Sequence, residues 1–145
     1  MHLFLIFLIS VLPLTLAQLT ELRSLTYYRW ADRAFKLSDT NNDTLLDSDE
    51  CTASFYRLKD NDSVEDITLH ALIARYGAYR LSASVSTSLF NQYDKDGSGL
   101  VDIWDFLVMY VSYDTDKDFT VTREEFIRAN DEIFTIAGAP RFLGK

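Results

Sequence analysis

The chain has 145 residues, with 14 basic and 22 acidic side chains and a formal net charge of −8 at pH 7. This charge makes nucleic acid an unexpected partner, because binding to phosphate requires a basic surface. Metal cations, mineral surfaces and basic proteins fit better. The only cysteine, Cys51, cannot form an internal disulfide, so we expect a metal ion rather than a disulfide to stabilise the fold.

Residues 1–17 form an uncharged apolar run that ends in the small residues of Thr15-Leu-Ala17. This pattern predicts a secretory signal peptide that is cleaved after Ala17, which would make the protein secreted. The apolar run of about 14 residues is shorter than the roughly 20 that a membrane span needs. No later segment is a candidate, so we expect no membrane span after cleavage. An uncleaved anchor is the alternative, because the segment lacks a basic start.

Apolar periodicity predicts an all-α fold of about six helices in the rest of the chain. The periodic segments are residues 20–37, 66–79, 84–93, 103–113 and 123–136, and a further helix leaves the loop that ends at residue 50. Gly77 marks one helix end. Thr122 and Glu125 form a capping box at the start of the last helix. The predicted domain covers residues 18–137, and residues 138–145 are expected to form an irregular tail.

Three segments of twelve residues, 39–50, 94–105 and 114–125, place side-chain oxygens at positions 1, 3, 5, 9 and 12. Calcium takes six to eight oxygen ligands, and a loop with this spacing can wrap around it. The spacing resembles the loop of the EF-hand family, and the resemblance covers nearly all of residues 30–130. An acidic, solvated turn is the alternative, but it would need neither an acid at position 12 nor the apolar residue found at position 8.

The resemblance implies a set of calcium ligands in each loop, including the backbone carbonyl at position 7. In the first loop they are Asp39, Asn41, Asp43, the Leu45 carbonyl, Asp47 and Glu50. In the second loop they are Asp94, Asp96, Ser98, the Leu100 carbonyl, Asp102 and Asp105. In the third loop they are Asp114, Asp116, Asp118, the Thr120 carbonyl and Glu125.

Each loop departs from the family pattern at one position. Gly99 occupies the sharp turn at position 6 of the second loop, whereas Thr44 and Phe119 occupy it in the others. A residue with a Cβ costs roughly 1–2 kcal/mol there, so we expect these two sites to be weakened. The second loop ends in Asp105, which is one methylene shorter than glutamate. Its shorter reach favours a smaller coordination shell, so magnesium is a further candidate for residues 94–105.

The chain contains an internal duplication. The pattern Phe35-x-x-x-Asp39 recurs as Phe90-x-x-x-Asp94, and a fourth, degenerate loop at residues 60–71 matches the third. This fourth loop has Ala71 at position 12, so we expect it to bind no metal and only to pack. The chain is therefore interpreted as two units, about 20–80 and 82–137, each with two loops.

Loop starts within a unit are so close that one helix must serve both loops. The helix at residues 103–113 would be about 16 Å long at 1.5 Å per residue. It would hold its two loops at opposite ends, so loops within a unit cannot pair with each other. We expect pairing between units, with the first loop against the second and the fourth against the third.

The remaining side chains do not indicate catalysis. His70 and Cys51 lie far from a plausible orienting partner, so we expect no enzyme activity. The many Phe and Tyr residues are interpreted as core, and the single methionine after the signal segment, Met109, argues against a promiscuous target groove. Asn42 and Asn61 fit the glycosylation pattern, and either could be used.

The sequence thus predicts a secreted calcium-binding protein in which calcium mainly stabilises the fold and an acidic interaction surface. Extracellular modules of this kind bind calcium at roughly 10⁻⁴–10⁻³ M. One alternative is an extracellular matrix or biomineral-associated calcium protein, with matrix proteins or mineral as partners. Another is a secreted hydrolase with structural calcium.

Overall fold

The computed structural model describes residues 16–59, 66–77, 81–138 and 141, and helices dominate them. The helices are α1 (Leu16–Ser38), α2 (Ser48–Lys59), α3 (Leu69–Gly77), α4 (Ala83–Tyr93), α5 (Ile103–Tyr113) and α6 (Arg123–Ile136). Two short strands, β1 (Leu45–Leu46) and β2 (Val121–Thr122), lie in the first and third loops. The predicted all-α class is confirmed. Within the described ranges, no helix combines the length and the apolar character that a membrane span needs.

Helices α4, α5 and α6 match the sequence pattern within one residue, whereas α1 begins at Leu16 rather than at residue 20, and α3 differs at its start. This helix begins at Leu69 rather than at residue 66, because Ile67 forms a β-bridge and the Thr68 hydroxyl accepts the Ala71 N–H at 3.2 Å. Of the predicted signal segment, only residues 16–17 are described, as the start of α1. Most of the predicted tail and residues 60–65 of the fourth loop, including Asn61, lie outside the described residues.

The first three helices pack against the last three in reverse order along the chain. α1 contacts α6, α2 contacts α5, and α3 contacts α4. Aromatic rings fill the space between them, as at α1 and α6, where Tyr27 stacks on Phe134 with ring centroids 5.0 Å apart. Phe35, Phe55 and Phe134 are almost fully buried. The interpretation of the aromatic residues as core is therefore confirmed for these rings.

The loops pair between the two halves, but not in the predicted combination. β1 of the first loop pairs antiparallel with β2 of the third loop, with Leu46 opposite Val121. Ile67 of the fourth loop forms a bridge with Val101 of the second loop, through two backbone hydrogen bonds of 2.9 and 3.0 Å. The expected pairs, first with second and fourth with third, are wrong.

The direction of the two shared helices explains this correction. α2 runs from the first loop to the fourth, and α5 runs from the second loop to the third. Pairing the first loop with the second would require α2 and α5 to be parallel. The two observed bridges instead join the start of α2 to the end of α5 and the end of α2 to the start of α5, so these helices are antiparallel.

Candidate metal centres

Each of the three complete loops gathers carboxylates closely enough to hold a metal ion. The groups are Asp39, Asp43 and Glu50; Asp94, Asp96 and Asp105; and Asp114, Asp116 and Asp118. In each group, one oxygen per residue lies within 4.8 Å of the others. The donors are all oxygen, which suits a hard divalent cation such as calcium or magnesium better than a softer metal.

Helix ends place the first and ninth residues of each loop. The backbone N–H of the position-1 residue closes the last turn of the preceding helix, as Asp39 does by donating to the Phe35 carbonyl at 2.8 Å. Position 9 is the N-cap of the following helix. Asp102 accepts the Trp104 and Asp105 N–H groups at 2.8 and 3.0 Å, and Thr122 caps α6 in the same way. The predicted capping box of Thr122 and Glu125 is confirmed.

The carboxylate at position 1 accepts the backbone N–H groups of positions 5 and 6 in all three loops. One oxygen takes the position-5 N–H and the other takes the position-6 N–H, at distances of 2.9–3.2 Å. The side-chain oxygen at position 3 also accepts the position-5 N–H, at 2.8–3.3 Å. These hydrogen bonds curl each loop so that positions 1, 3 and 5 surround the same space.

The carboxylate at position 12 is tied to both ends of its own loop. One oxygen accepts the position-2 N–H at 2.7–2.8 Å, and the other accepts the position-9 N–H at 2.9–3.4 Å. Glu50, Asp105 and Glu125 are all buried. Asp105 makes both contacts despite its shorter side chain, so the second loop has the same closed form as the others.

Some predicted ligands stand outside the three carboxylate groups. Asp47 and Asp102 lie at position 9 and accept N–H groups of the following helix. Glu125 lies outside the group of its own loop, although it accepts the same position-2 and position-9 N–H groups as Glu50 and Asp105 do. Of the side chains at positions 3 and 5 that are not carboxylates, Asn41 accepts the Asp43 N–H at 2.8 Å and Ser98 accepts the Leu100 N–H at 3.4 Å. For the predicted position-7 carbonyls, the second loop shows one contact, from the Ser98 hydroxyl to the Leu100 carbonyl at 3.2 Å. As metal ligands, the Leu45, Leu100 and Thr120 carbonyls all remain predictions.

The turn at position 6 has a left-handed backbone in all three loops. Its φ angle is 72° at Thr44, 83° at Gly99 and 72° at Phe119. Position 4 is also left-handed, at Asn42, Gly97 and Lys117. Threonine is branched at Cβ, and φ is rarely positive for such a residue. This strained backbone conformation directs the position-6 N–H to the position-1 carboxylate.

The pKa values of carboxyl groups in the loops respond to neighbouring negative charges and to hydrogen bonds. Partial desolvation and the neighbouring charge of Asp118 raise the pKa of Asp116. Hydrogen bonding by Ser98 lowers the pKa of Asp96. Burial raises the pKa of Glu125, but hydrogen bonds from Thr115 and Thr122 outweigh that effect and lower it to about 2. Glu125 is thus held as an anion beside other anions.

Two residues that support position 12 were missed in the sequence. The hydroxyls of Thr40 and Thr115, at position 2, donate to Glu50 and Glu125 at 3.0 and 2.6 Å. The recurrence of threonine at position 2 was the available signal. In the fourth loop, the exposed Ala71 occupies position 12 and provides no such carboxylate.

Comparison of the chain with protein-family models, with curated proteins and with solved structures gave no match. The three carboxylate groups and their hydrogen bonds are therefore the basis of the functional conclusion.

Proposed function

We propose that this protein is a secreted calcium-binding protein of the EF-hand type, with three sites at residues 39–50, 94–105 and 114–125. One observation carries the proposal. Three loops of different sequence share one hydrogen-bond scheme, in which position 1 accepts positions 5 and 6 and position 12 accepts positions 2 and 9. A merely acidic turn has no reason to repeat it.

Calcium in these loops would offset the repulsion between clustered carboxylates. Three divalent ions would neutralise six of the eight excess negative charges. The side chains at positions 1, 3, 5 and 12 would hold the ion, together with the carbonyl at position 7. Magnesium is a competing ion at residues 94–105, where Asp105 replaces glutamate.

We further propose that calcium stabilises the fold rather than opening it. The position-8 side chains Leu46, Val101, Val121 and Ile67 are buried, so the loops are part of the core. Ion binding would then add to folding free energy. Thermal unfolding should shift upward with calcium, while binding of a dye that reports exposed apolar surface stays unchanged. A large calcium-dependent rise in dye binding would instead indicate a sensor that opens.

The direct test is a calorimetric titration of metal-free protein with calcium. We expect three sites, and Glu50→Gln, Asp105→Asn and Glu125→Gln should each remove one. The matched controls are Asp49→Asn and Glu124→Gln, because these exposed carboxylates at position 11 directly precede position 12. The proposal fails if millimolar calcium does not bind, or if the controls lose sites as the test variants do.

A further inference from the structure

An apolar cavity of about 360 Å³ lies among the helices, and no member of the three carboxylate groups lines it. Its inner wall includes Trp30, Cys51, Phe106, Met109 and Phe126 from α1, α2, α5 and α6. The volume falls at the lower end of the range for small-molecule sites, which are lined mainly by apolar side chains with few polar groups. The cavity can therefore take one slender apolar chain.

Among the described residues, the charged side chains that line this cavity are all basic. They are Arg33, Arg57 and Arg75. The whole chain has 22 acidic and 14 basic residues, so this is the reverse of its overall balance. Arg33 and Arg57 are exposed, which places them where the cavity meets solvent.

Two of these arginines are held together at the cavity. Arg75 donates from Nη1 to the Arg57 carbonyl at 3.0 Å, and Arg57 donates from Nη2 to the Ser54 hydroxyl at 2.9 Å. Within the described ranges, no carboxylate forms an ion pair with Arg33 or Arg57, whereas Arg123 does pair with Asp32. Guanidinium groups that lack a carboxylate partner can bind an anion from solution.

We propose that the cavity binds a single-chain amphipathic carboxylate, such as a fatty-acid anion. The apolar walls would take the chain, and Arg33 and Arg57 would take the carboxylate at the opening. The positive charges of the arginines favour an anionic ligand. The same apolar walls without arginines would favour a neutral molecule. None of the residues in the three carboxylate groups lines the cavity, so the proposal does not require calcium to be bound.

Trp30 provides the readout, because it lines the cavity. The second tryptophan, Trp104, does not line it and is 71% exposed, so Trp104→Phe removes the background signal. Micromolar dodecanoate should change Trp30 fluorescence saturably, with a stoichiometry of one. We expect it to bind at least tenfold more tightly than dodecanol or dodecyltrimethylammonium, which share its chain but not its charge.

Arginine variants test whether Arg33 and Arg57 bind the negatively charged group of the ligand at this opening. Arg33→Gln and Arg57→Gln should each weaken dodecanoate binding about tenfold and leave dodecanol binding unchanged. Arg29→Gln is the matched control, since Arg29 is exposed on the same helix as Arg33 but does not line the cavity. Circular dichroism checks that each variant is folded. The proposal would be overturned if the three amphiphiles bind equally, or if Arg29→Gln and Arg33→Gln have equal effects. Binding of an acidic peptide but not of dodecanoate would also overturn it.

Discussion

The Tyr110 hydroxyl donates to the backbone carbonyl of Leu46, at 2.5 Å. The same hydroxyl also lies 3.2 Å from the carbonyl of Phe119. Leu46 belongs to the first loop and Phe119 to the third, so a single side chain of α5 joins the two loops that pair through β1 and β2. Tyr110 is therefore a link between two candidate metal centres that lie far apart in the sequence.

Replacing Tyr110 with phenylalanine should destabilise the fold by about 1–2 kcal/mol, because the Leu46 carbonyl at the loop pair loses its hydroxyl donor. It should also weaken calcium binding at the first and third loops together and leave the second loop unchanged. Chemical denaturation and calorimetric titration measure the two effects. Tyr56→Phe is the control, since Tyr56 is exposed. Equal weakening at all three loops would contradict the link.

Sequence patterns predicted the parts of the fold that depend on neighbouring residues. Helices α4, α5 and α6 begin and end within one residue of the periodic segments, because their caps are coded locally at Ser82, Asp102 and Thr122. Loop pairing depends on the relative direction of α2 and α5, which no local pattern encodes. That is why the predicted combination of loops was wrong although the first three loops were placed correctly.

Glycine at position 6 should relieve strain in the third loop. Phe119 has a φ angle of 72° and is 85% exposed, so Phe119→Gly removes strain without loss of packing. We expect stabilisation of about 1 kcal/mol and tighter calcium binding at this loop. Thr44→Gly should act in the same direction in the first loop. Thermal unfolding and calcium titration check both.

Gly99→Ala is the converse experiment in the second loop. A Cβ at Gly99 would meet no atom within 4 Å, so any loss reflects the positive φ alone. It should destabilise the protein by about 1 kcal/mol. If Phe119→Gly and Gly99→Ala shift stability in the same direction, backbone strain is not the cause.

Only part of the candidate site could be predicted from the sequence. In the third loop, the carboxylates at positions 1, 3 and 5 come together, because their spacing within one turn decides it. Asp47 and Asp102 also serve as helix caps, which the sequence had already indicated for Thr122 at the same loop position, and their role as ligands stays a prediction. Tyr110 could not be found, since it reaches Leu46 across 64 positions of the chain.

Asp32 should make stability depend on pH in the acidic range. Hydrogen bonds from Lys36 and Arg123 lower the pKa of Asp32 despite some desolvation. A lowered folded-state pKa means that the stabilisation is complete above the ordinary pKa of about 4 and is lost as pH falls below it. Asp32→Asn should therefore cost about 1 kcal/mol at neutral pH, and the difference from wild type should shrink below about pH 4.

Thermal unfolding of the two proteins between neutral and acidic pH measures this difference. Arg123→Gln should reproduce part of the effect, because Arg123 donates to Asp32 through Nη2 at 2.6 Å and Nε at 2.9 Å. Asp49→Asn, at an exposed position, is the control. A gap between wild type and Asp32→Asn that stays constant as the pH falls would contradict the assignment.

Cys51 should be unreactive in the folded protein. It is 5% exposed, and burial raises the pKa of its thiol to about 12. The thiolate is the reactive form, so iodoacetamide at pH 8 should modify Cys51 only after unfolding. Mass spectrometry measures the modified fraction. Rapid labelling of the native protein, or a disulfide-linked dimer without reducing agent, would show that the thiol is accessible.

Asp105 offers a test of ion choice at the second loop. It accepts the Lys95 and Asp102 N–H groups, at 2.8 and 3.0 Å, so the loop already closes around the shorter side chain. Glutamate would reach further and could give calcium two oxygens, which suits its larger coordination shell better than that of magnesium. We expect Asp105→Glu to raise calcium affinity at this loop and to lower the competition by magnesium. Calcium titrations with and without millimolar magnesium compare the variant with wild type, and Asp49→Glu at position 11 of the first loop serves as the control. An unchanged ratio of calcium to magnesium affinity would mean that the length of the position-12 side chain does not select the ion.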